Sequence, residues 1–187
     1  MYATLTATKH WAAKNQTAAF ILKTVIGANV IATLAQLAVP TPFVAISCQS
    51  LGVLLMGFAL GRKAAVVALT LYLLEGAMGL PVFANGKFGV GVLMGSSGGY
   101  LFGFVAMAAI LGWASDKGCL KSVWKSLAAA IVATAVMYAM GLAQLSLFVP
   151  ADKVLTFGLY PFIVGDVVKA LVACVLVMPA YRLFQKI

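Results

Sequence analysis

Two ionisable residues stand three positions apart in an otherwise apolar stretch, Pro161-Phe162-Ile163-Val164-Gly165-Asp166-Val167-Val168-Lys169. On a helix that spacing puts Asp166 and Lys169 on one face, where they can neutralise each other or offer an acceptor and a donor to a ligand. Ionisable groups within apolar spans are costly and mark a pathway or a site. The plainer alternative is a structural ion pair that fixes helix packing. Glu75, near the end of another apolar stretch, carries the same two readings. A polar patch, Ser47-Cys48-Gln49-Ser50, opens a further apolar segment, and Gln49 there could meet a ligand or hydrogen-bond between helices.

The other concentration of chemistry lies between residues 79 and 100. Gly79-Leu80-Pro81-Val82-Phe83-Ala84-Asn85-Gly86-Lys87-Phe88-Gly89 runs on to Gly95-Ser96-Ser97-Gly98-Gly99-Tyr100, too glycine-rich and too apolar for a solvated linker. Loops of that length usually have a function. Glycines such as Gly98 and Gly99 permit close approach, and Phe83, Phe88 and Tyr100 could cover an apolar solute. Irregular backbone at membrane depth is tolerated where it is buried in protein or lines a cavity. The segment therefore reads as a lid folded back over one mouth of a helical bundle, with a merely structural re-entrant loop as the alternative.

The elements that must position these residues follow from composition. Of 187 residues, 64% are apolar and 9% charged, against roughly half and a quarter in soluble domains. Such a chain cannot coat itself with charge, so its main solvent is not water. Spans of about 20 apolar residues cross a bilayer, and six candidates run over 20–38, 46–61, 64–79, 99–115, 125–148 and 158–181. The second and third are joined by little except Arg62 and Lys63. The fold expected is an all-α integral membrane bundle of six helices with a glycine-rich outward loop between the third and fourth.

Charge gives an orientation. Lys9, Lys14, Lys23, Arg62, Lys63, Lys117, Lys121, Lys125, Arg182 and Lys186 fall on one side, and only Lys87 and Lys153 on the other. By the positive-inside rule the chain is a multi-pass protein of the cytoplasmic membrane with both termini cytoplasmic. Residues 1–19 read as a polar cytoplasmic tail without the apolar core of a cleavable signal, and 20–187 as one transmembrane substrate-binding domain. Gln49, Asn85, Tyr100, Asp166 and Lys169 all then map to the outer half, where apolar walls with a few polar groups would make a pocket. Ala28 and Ala32 form a small-xxx-small pattern suited to close helix contact and to a partner interface.

Several function classes are disfavoured. The net charge of +9 is not arranged as a basic stripe with interleaved aromatics, so nucleic acid is not expected as a partner. Cys48, Cys119 and Cys174 lack metal or redox spacing. There is no phosphate-binding loop, and the single histidine, His10, lies in the tail, so neither an ATP-driven engine nor a hydrolase is expected, and no metal or cofactor. Matching broken helices of an inverted-repeat transporter are not apparent, so energy for active transport would come from other subunits.

At Gly79-Leu80-Pro81-Val82-Phe83, the Gly95-to-Tyr100 segment and Pro161-to-Lys169, the chain closely resembles the BioY family, biotin-specific substrate-binding (S) components of energy-coupling factor (ECF) transporters. The resemblance runs through nearly all of residues 25–180. It implies a six-helix S-component fold that holds biotin near the outer face, with Asn85, Asp166 and Lys169 at positions expected to contact the ligand and Gln49 and Tyr100 in pocket-lining motifs. It also implies that the first helix, through Ala28 and Ala32, docks on a transmembrane coupling (T) component served by two cytosolic ATPases. A stand-alone transporter of biotin or another small solute is the alternative, since some members are thought to work without those subunits. This chain departs from the family's usual Gly-Pro-Thr-Gly-Gly-Tyr with Ser96 and Ser97, and has Ala45 and Ser47 in place of the usual Pro and Thr. No arginine lies on the outward side, so if relatives use one to meet biotin's carboxylate, Lys87 or Lys169 would have to serve here.

Overall fold

A computed structural model describes the backbone of residues 14–186 and the side chains of residues 14–177. Lys9 and His10 of the expected tail, and the side chains of Arg182 and Lys186, lie outside the described residues.

The first helix, α1 (Gln16–Ala35), buries Thr24, Gly27, Ala28, Ile31 and Ala35, a single stripe at three- and four-residue spacing. Its opposite face is also apolar, with Ile21 56% exposed. A helix hydrophobic all round belongs in lipid. The last helix, α8 (Tyr160–Lys186), repeats the pattern, leaving Val164 76% exposed while Asp166 is buried. Polar groups inside and hydrocarbon outside mark a multi-pass membrane protein.

Between them, continuous helical hydrogen bonding over Gln49–Ala77 conceals a reversal at Gly61, whose φ of 73° and ψ of 168° are not helical. In a straight helix Gln49 and Tyr72 would stand roughly 35 Å apart, yet Gln49 Nε2 donates to Tyr72 Oη at 2.6 Å. The run is therefore an antiparallel pair, α2 (49–60) and α3 (62–77), and it supplies the second and third of six membrane helices. Reversal requires glycine, because this backbone region is essentially closed to other residues. Space forbids a side chain as well: a Cβ on Gly61 would lie 2.5 Å from Asp116 Oδ1. That carboxylate accepts the Arg62 backbone N–H at 3.1 Å and ties the turn to the end of α5 (Gly98–Asp116).

Helix α5 packs between the hairpin and α6 (Val123–Leu145), α1 lies against the hairpin, and α8 closes the bundle against the hairpin and α6. Small residues set the closeness: a Cβ on Gly57 would meet Leu111 Cβ at 2.8 Å, and one on Gly112 would meet the Arg62 backbone nitrogen at 2.6 Å. Ile31, Leu54, Leu69, Met107 and Leu111 are fully buried along the resulting axis. The turn holding Arg62 and Lys63 and the loop carrying Lys117 and Lys121 share the basic end of the bundle.

The opposite end is built from connections. A two-stranded hairpin pairs β1 (Ala38–Val39) with β2 (Ile46–Ser47), and the segment after α3 carries a 3-10 turn (Ala84–Gly86) and the short helix α4 (Val90–Met94). The connection from α6 to α8 includes a second short helix, α7 (Val154–Gly158). The expected span limits agree with these helices within about five residues, and the first and last differ most because hydropathy does not mark where an apolar helix emerges.

Replacing Gly61 with alanine is expected to destabilise the protein by about 1–3 kcal/mol, through the closed backbone region and the Asp116 clash. Thermal unfolding in detergent checks this, with Gly165→Ala, which has open space at its Cβ, expected to leave the midpoint unchanged or raised.

Candidate functional site

Three helices place one polar cluster. Asp166 and Lys169 lie a turn apart on α8, and Lys169 Nζ donates to Asp166 Oδ1 at 2.9 Å with both side chains largely buried. From the start of α2, Ser50 Oγ donates to Asp166 Oδ1 at 2.9 Å and accepts from Lys169 Nζ at 3.0 Å. Lys169 gives its remaining proton to the Ser47 carbonyl at 2.7 Å. From α6, Tyr138 Oη donates to Asp166 Oδ2 at 2.5 Å. Charged acceptors make stronger hydrogen bonds than neutral ones, and in a dry site an unanswered polar group is expensive. Here the ammonium has all three donors committed, and the carboxylate accepts three bonds.

Beside this cluster Gln49 donates to Tyr72 Oη, which donates onward to the Val82 carbonyl at 3.1 Å. The Tyr72 ring meets Phe83 edge-on at 5.5 Å. Phe83 fits because position 76 is glycine: a Cβ there would sit 2.1 Å from Phe83 Cζ. Tyr100 is seated the same way against Gly141, and its hydroxyl donates to the Gly158 carbonyl at 2.8 Å.

Together residues of these helices and loops wall a chamber that opens at one mouth and has the apolar lining with a few polar groups usual in small-ligand sites. Phe83, Tyr100, Phe104, Met137 and Phe162 make its apolar surface, Gln49, Ser50, Tyr138, Asp166 and Lys169 its polar one, and Lys87 stands on its lining. The roof comprises residues of the β1–β2 connection and of the 79–97 segment. Two glutamines hold that segment down. Gln144 Nε2 of α6 donates to the Leu93 and Gly95 carbonyls at 3.0 and 2.8 Å. Gln36, just after α1, shares the two Nε2 protons among the carbonyls of Pro81, Val82 and Phe83, each at 3.3 Å, and accepts the Gly86 N–H at 3.0 Å through its amide oxygen. Ser96 Oγ adds a bond to the Phe43 carbonyl at 2.7 Å, joining the two roof segments.

Of the residues singled out by sequence, Gln49, Phe83, Tyr100, Asp166 and Lys169 all line the chamber. The others stand elsewhere. Asn85 is exposed on the 3-10 turn with a left-handed φ of 60°, outside the lining. Its short amide suits that turn, which aims it away from the site. Gly98 and Gly99 serve helix contact and not the wall: a Cβ on Gly98 would lie 1.7 Å from the Leu93 carbonyl oxygen, and one on Gly99 2.4 Å from the Met140 carbonyl oxygen. Phe88 is exposed. Ala28 is wholly buried and Ala32 half-buried against the protein's own core, so in this conformation the pair packs α1 on the bundle and leaves little for a partner to touch. The Glu75 side chain makes no hydrogen bond or ion pair among the described residues and stands outside the lining, while its carbonyl accepts the Leu80 N–H at 3.1 Å.

Sequence reasoning missed Tyr138, Tyr72, Gln36 and Gln144. Each is a polar group in or beside an apolar helix, and a buried tyrosine hydroxyl normally finds a partner. That signal was present but gave no direction, because both faces of a lipid-exposed helix are apolar.

A family model described as the BioY family matches residues 7–186. A biotin transporter BioY of Thermotoga maritima is 37% identical over 145 residues, covering 77% of this chain and 83% of that protein. A biotin transporter BioY of Rhizobium etli is 35% identical over 156 residues, covering 78% and 82%. Among solved structures, an S-component for biotin from an ECF-type ABC transporter shares the fold at a TM-score of 0.80 and 24% identity, covering 90% of this chain and 93% of that one.

Removing the Gln36 amide, as Gln36→Leu, is expected to speed amide hydrogen exchange across residues 81–87, most of all at Gly86, whose N–H loses its acceptor. Exchange at the β1–β2 pair is expected to change less, which peptide-resolved mass spectrometry can read.

Proposed function

The chain belongs to the BioY family, and from that premise we propose that its chamber binds biotin with high affinity as the S component of an ECF-type transporter in the cytoplasmic membrane. The relatives named as biotin transporters support the ligand. The observation that carries the reading is the Asp166, Lys169, Ser50 and Tyr138 cluster set in the polar wall of an otherwise aromatic and aliphatic chamber.

Biotin combines a ureido group having two N–H donors and one acceptor, an apolar bicycle, and a carboxylate on an aliphatic tail. A carboxylate has about four acceptor sites, and Asp166 uses three of its own, leaving one on Oδ2 for a ureido N–H. Gln49 Oε1 meets no protein donor among the described residues and offers a second acceptor. Lys169 acts mainly on Asp166, holding its charge and orientation. Phe83, Phe104 and Phe162 supply the surface against which the bicycle can exclude water.

Orientation follows from charge: Arg62, Lys63, Lys117, Lys121 and Lys125 lie towards one end, Lys87 and Lys153 towards the other. The positive-inside rule turns the chamber outward and places both termini in the cytoplasm. Nothing in the described residues resembles a nucleotide-driven engine, so accumulation would depend on a transmembrane coupling component and two cytosolic ATPases. Docking of α1 through Ala28 and Ala32 would require α1 to lift from the bundle.

Purified protein is expected to bind labelled biotin saturably and to be stabilised by about 2.7 kcal/mol at 100 times the dissociation constant. Asp166→Ala leaves the Lys169 ammonium buried and unpaired and is expected to lower affinity by more than roughly a hundredfold, while Tyr138→Phe is expected to cost about tenfold. Well-folded wild-type protein that neither binds biotin nor gains thermal stability from it would refute the assignment.

A further inference from the structure

We infer that Lys87, on the segment roofing the chamber, is the residue that meets the carboxylate of the bound ligand and makes the site selective for the acid over its uncharged analogues. This rests on the biotin reading and deepens it.

Three charged side chains line the chamber, Lys87, Asp166 and Lys169. Two of them are spent on each other. Lys169 has three protons, and they go to Asp166 Oδ1, Ser50 Oγ and the Ser47 carbonyl at 2.9, 3.0 and 2.7 Å. Turning it toward a ligand carboxylate would strip Asp166 of its counter-charge in a water-poor site, which is strongly unfavourable. The pair is also neutral as a unit, so a ligand carboxylate entering the chamber arrives as one uncompensated negative charge.

Lys87 supplies the missing positive charge. Its side chain makes no hydrogen bond or ion pair among the described residues, so its donors are uncommitted. Its backbone is fixed where the charge is needed: its carbonyl accepts the Phe83 N–H at 3.1 Å, and its own N–H donates to the Ala84 carbonyl at 3.4 Å. Phe83 is itself wedged into the chamber roof. From that anchor a four-carbon stem can swing its ammonium across the mouth. Lys153, the other lysine at this end, is not on the lining.

The charge balance fixes the pose. The ureido ring lies toward Asp166 and Gln49, and the aliphatic tail runs up to the roof. A carboxylate bound to Lys87 then tethers the 79–97 segment over the mouth, so the acid form closes the site behind itself.

The test is equilibrium binding of labelled biotin, with competition by biotin and by biotin carboxamide, to wild-type protein, Lys87→Gln and Lys87→Arg. Because Lys87 is exposed, neither substitution disturbs packing. Wild type is expected to prefer the acid by roughly tenfold or more. Lys87→Gln is expected to erase that preference by weakening the acid alone, and Lys87→Arg to retain it. In parallel, biotin is expected to slow hydrogen exchange over residues 79–97 in wild type more than the carboxamide does. A preference that survives intact in Lys87→Gln overturns the assignment, as does an equal loss for both ligands or a wild type that does not distinguish them. Wild-type protein that binds neither compound overturns the biotin reading itself, whereas tight biotin binding with an unaltered acid preference in Lys87→Gln removes only the role of Lys87.

Discussion

A carboxylate and an ammonium held within the thickness of the hydrocarbon layer constrain everything around them. The leg 49–60 rises about 18 Å from the Gly61 turn at 1.5 Å per residue, whereas the hydrocarbon core is about 30 Å thick. With that turn near one interface, Ser50 and the Asp166 carboxylate bonded to it lie below the other. Water is scarce there, so proton donors and acceptors must come from the protein. Serine from α2, tyrosine from α6 and lysine from α8 provide them. Each bond fixes the rotation of its helix about its own axis, and the same atoms that satisfy the charge also align the bundle.

Small residues make that alignment possible. Glycines facing Leu111, Arg62 and Met137 bring α5 within backbone distance of the hairpin on one side and α6 on the other. No hydrophobic drive separates one apolar helix from another in lipid, so shape complementarity carries the association. The glycines at 76 and 141 do something different: they leave slots into which Phe83 and Tyr100 insert, converting gaps between helices into the aromatic wall of a chamber.

Much of this was legible in the sequence. The six spans, the Arg62–Lys63 turn and the Asp166–Lys169 face follow from hydropathy, charge and helical period, all of which are local. What was illegible depends on direction. Asn85 stands in a motif with chamber residues on either side of it, yet a single left-handed turn faces it outward while Phe83 and Lys87 remain on the lining. Gly98 and Gly99 were expected at the ligand but meet backbone carbonyls of α4 and α6, because absence of a side chain looks the same in sequence whether a ligand or a neighbouring helix fills the space. Tyr138 was overlooked because in lipid the inward and outward faces of α6 are equally apolar, which removes the contrast that reveals a buried face in water.

The amide of Gln36 faces more acceptors than it can serve. Its nitrogen carries two protons, yet the Ala32, Pro81, Val82 and Phe83 carbonyls all lie within 3.2–3.3 Å of it. Two protons are therefore shared among four oxygens, while the amide oxygen keeps one definite bond from the Gly86 N–H. A single side chain thus ties the place where the first helix ends to the place where the cover of the chamber begins, so the geometry of one is carried to the other without any contact between their backbones having to do it.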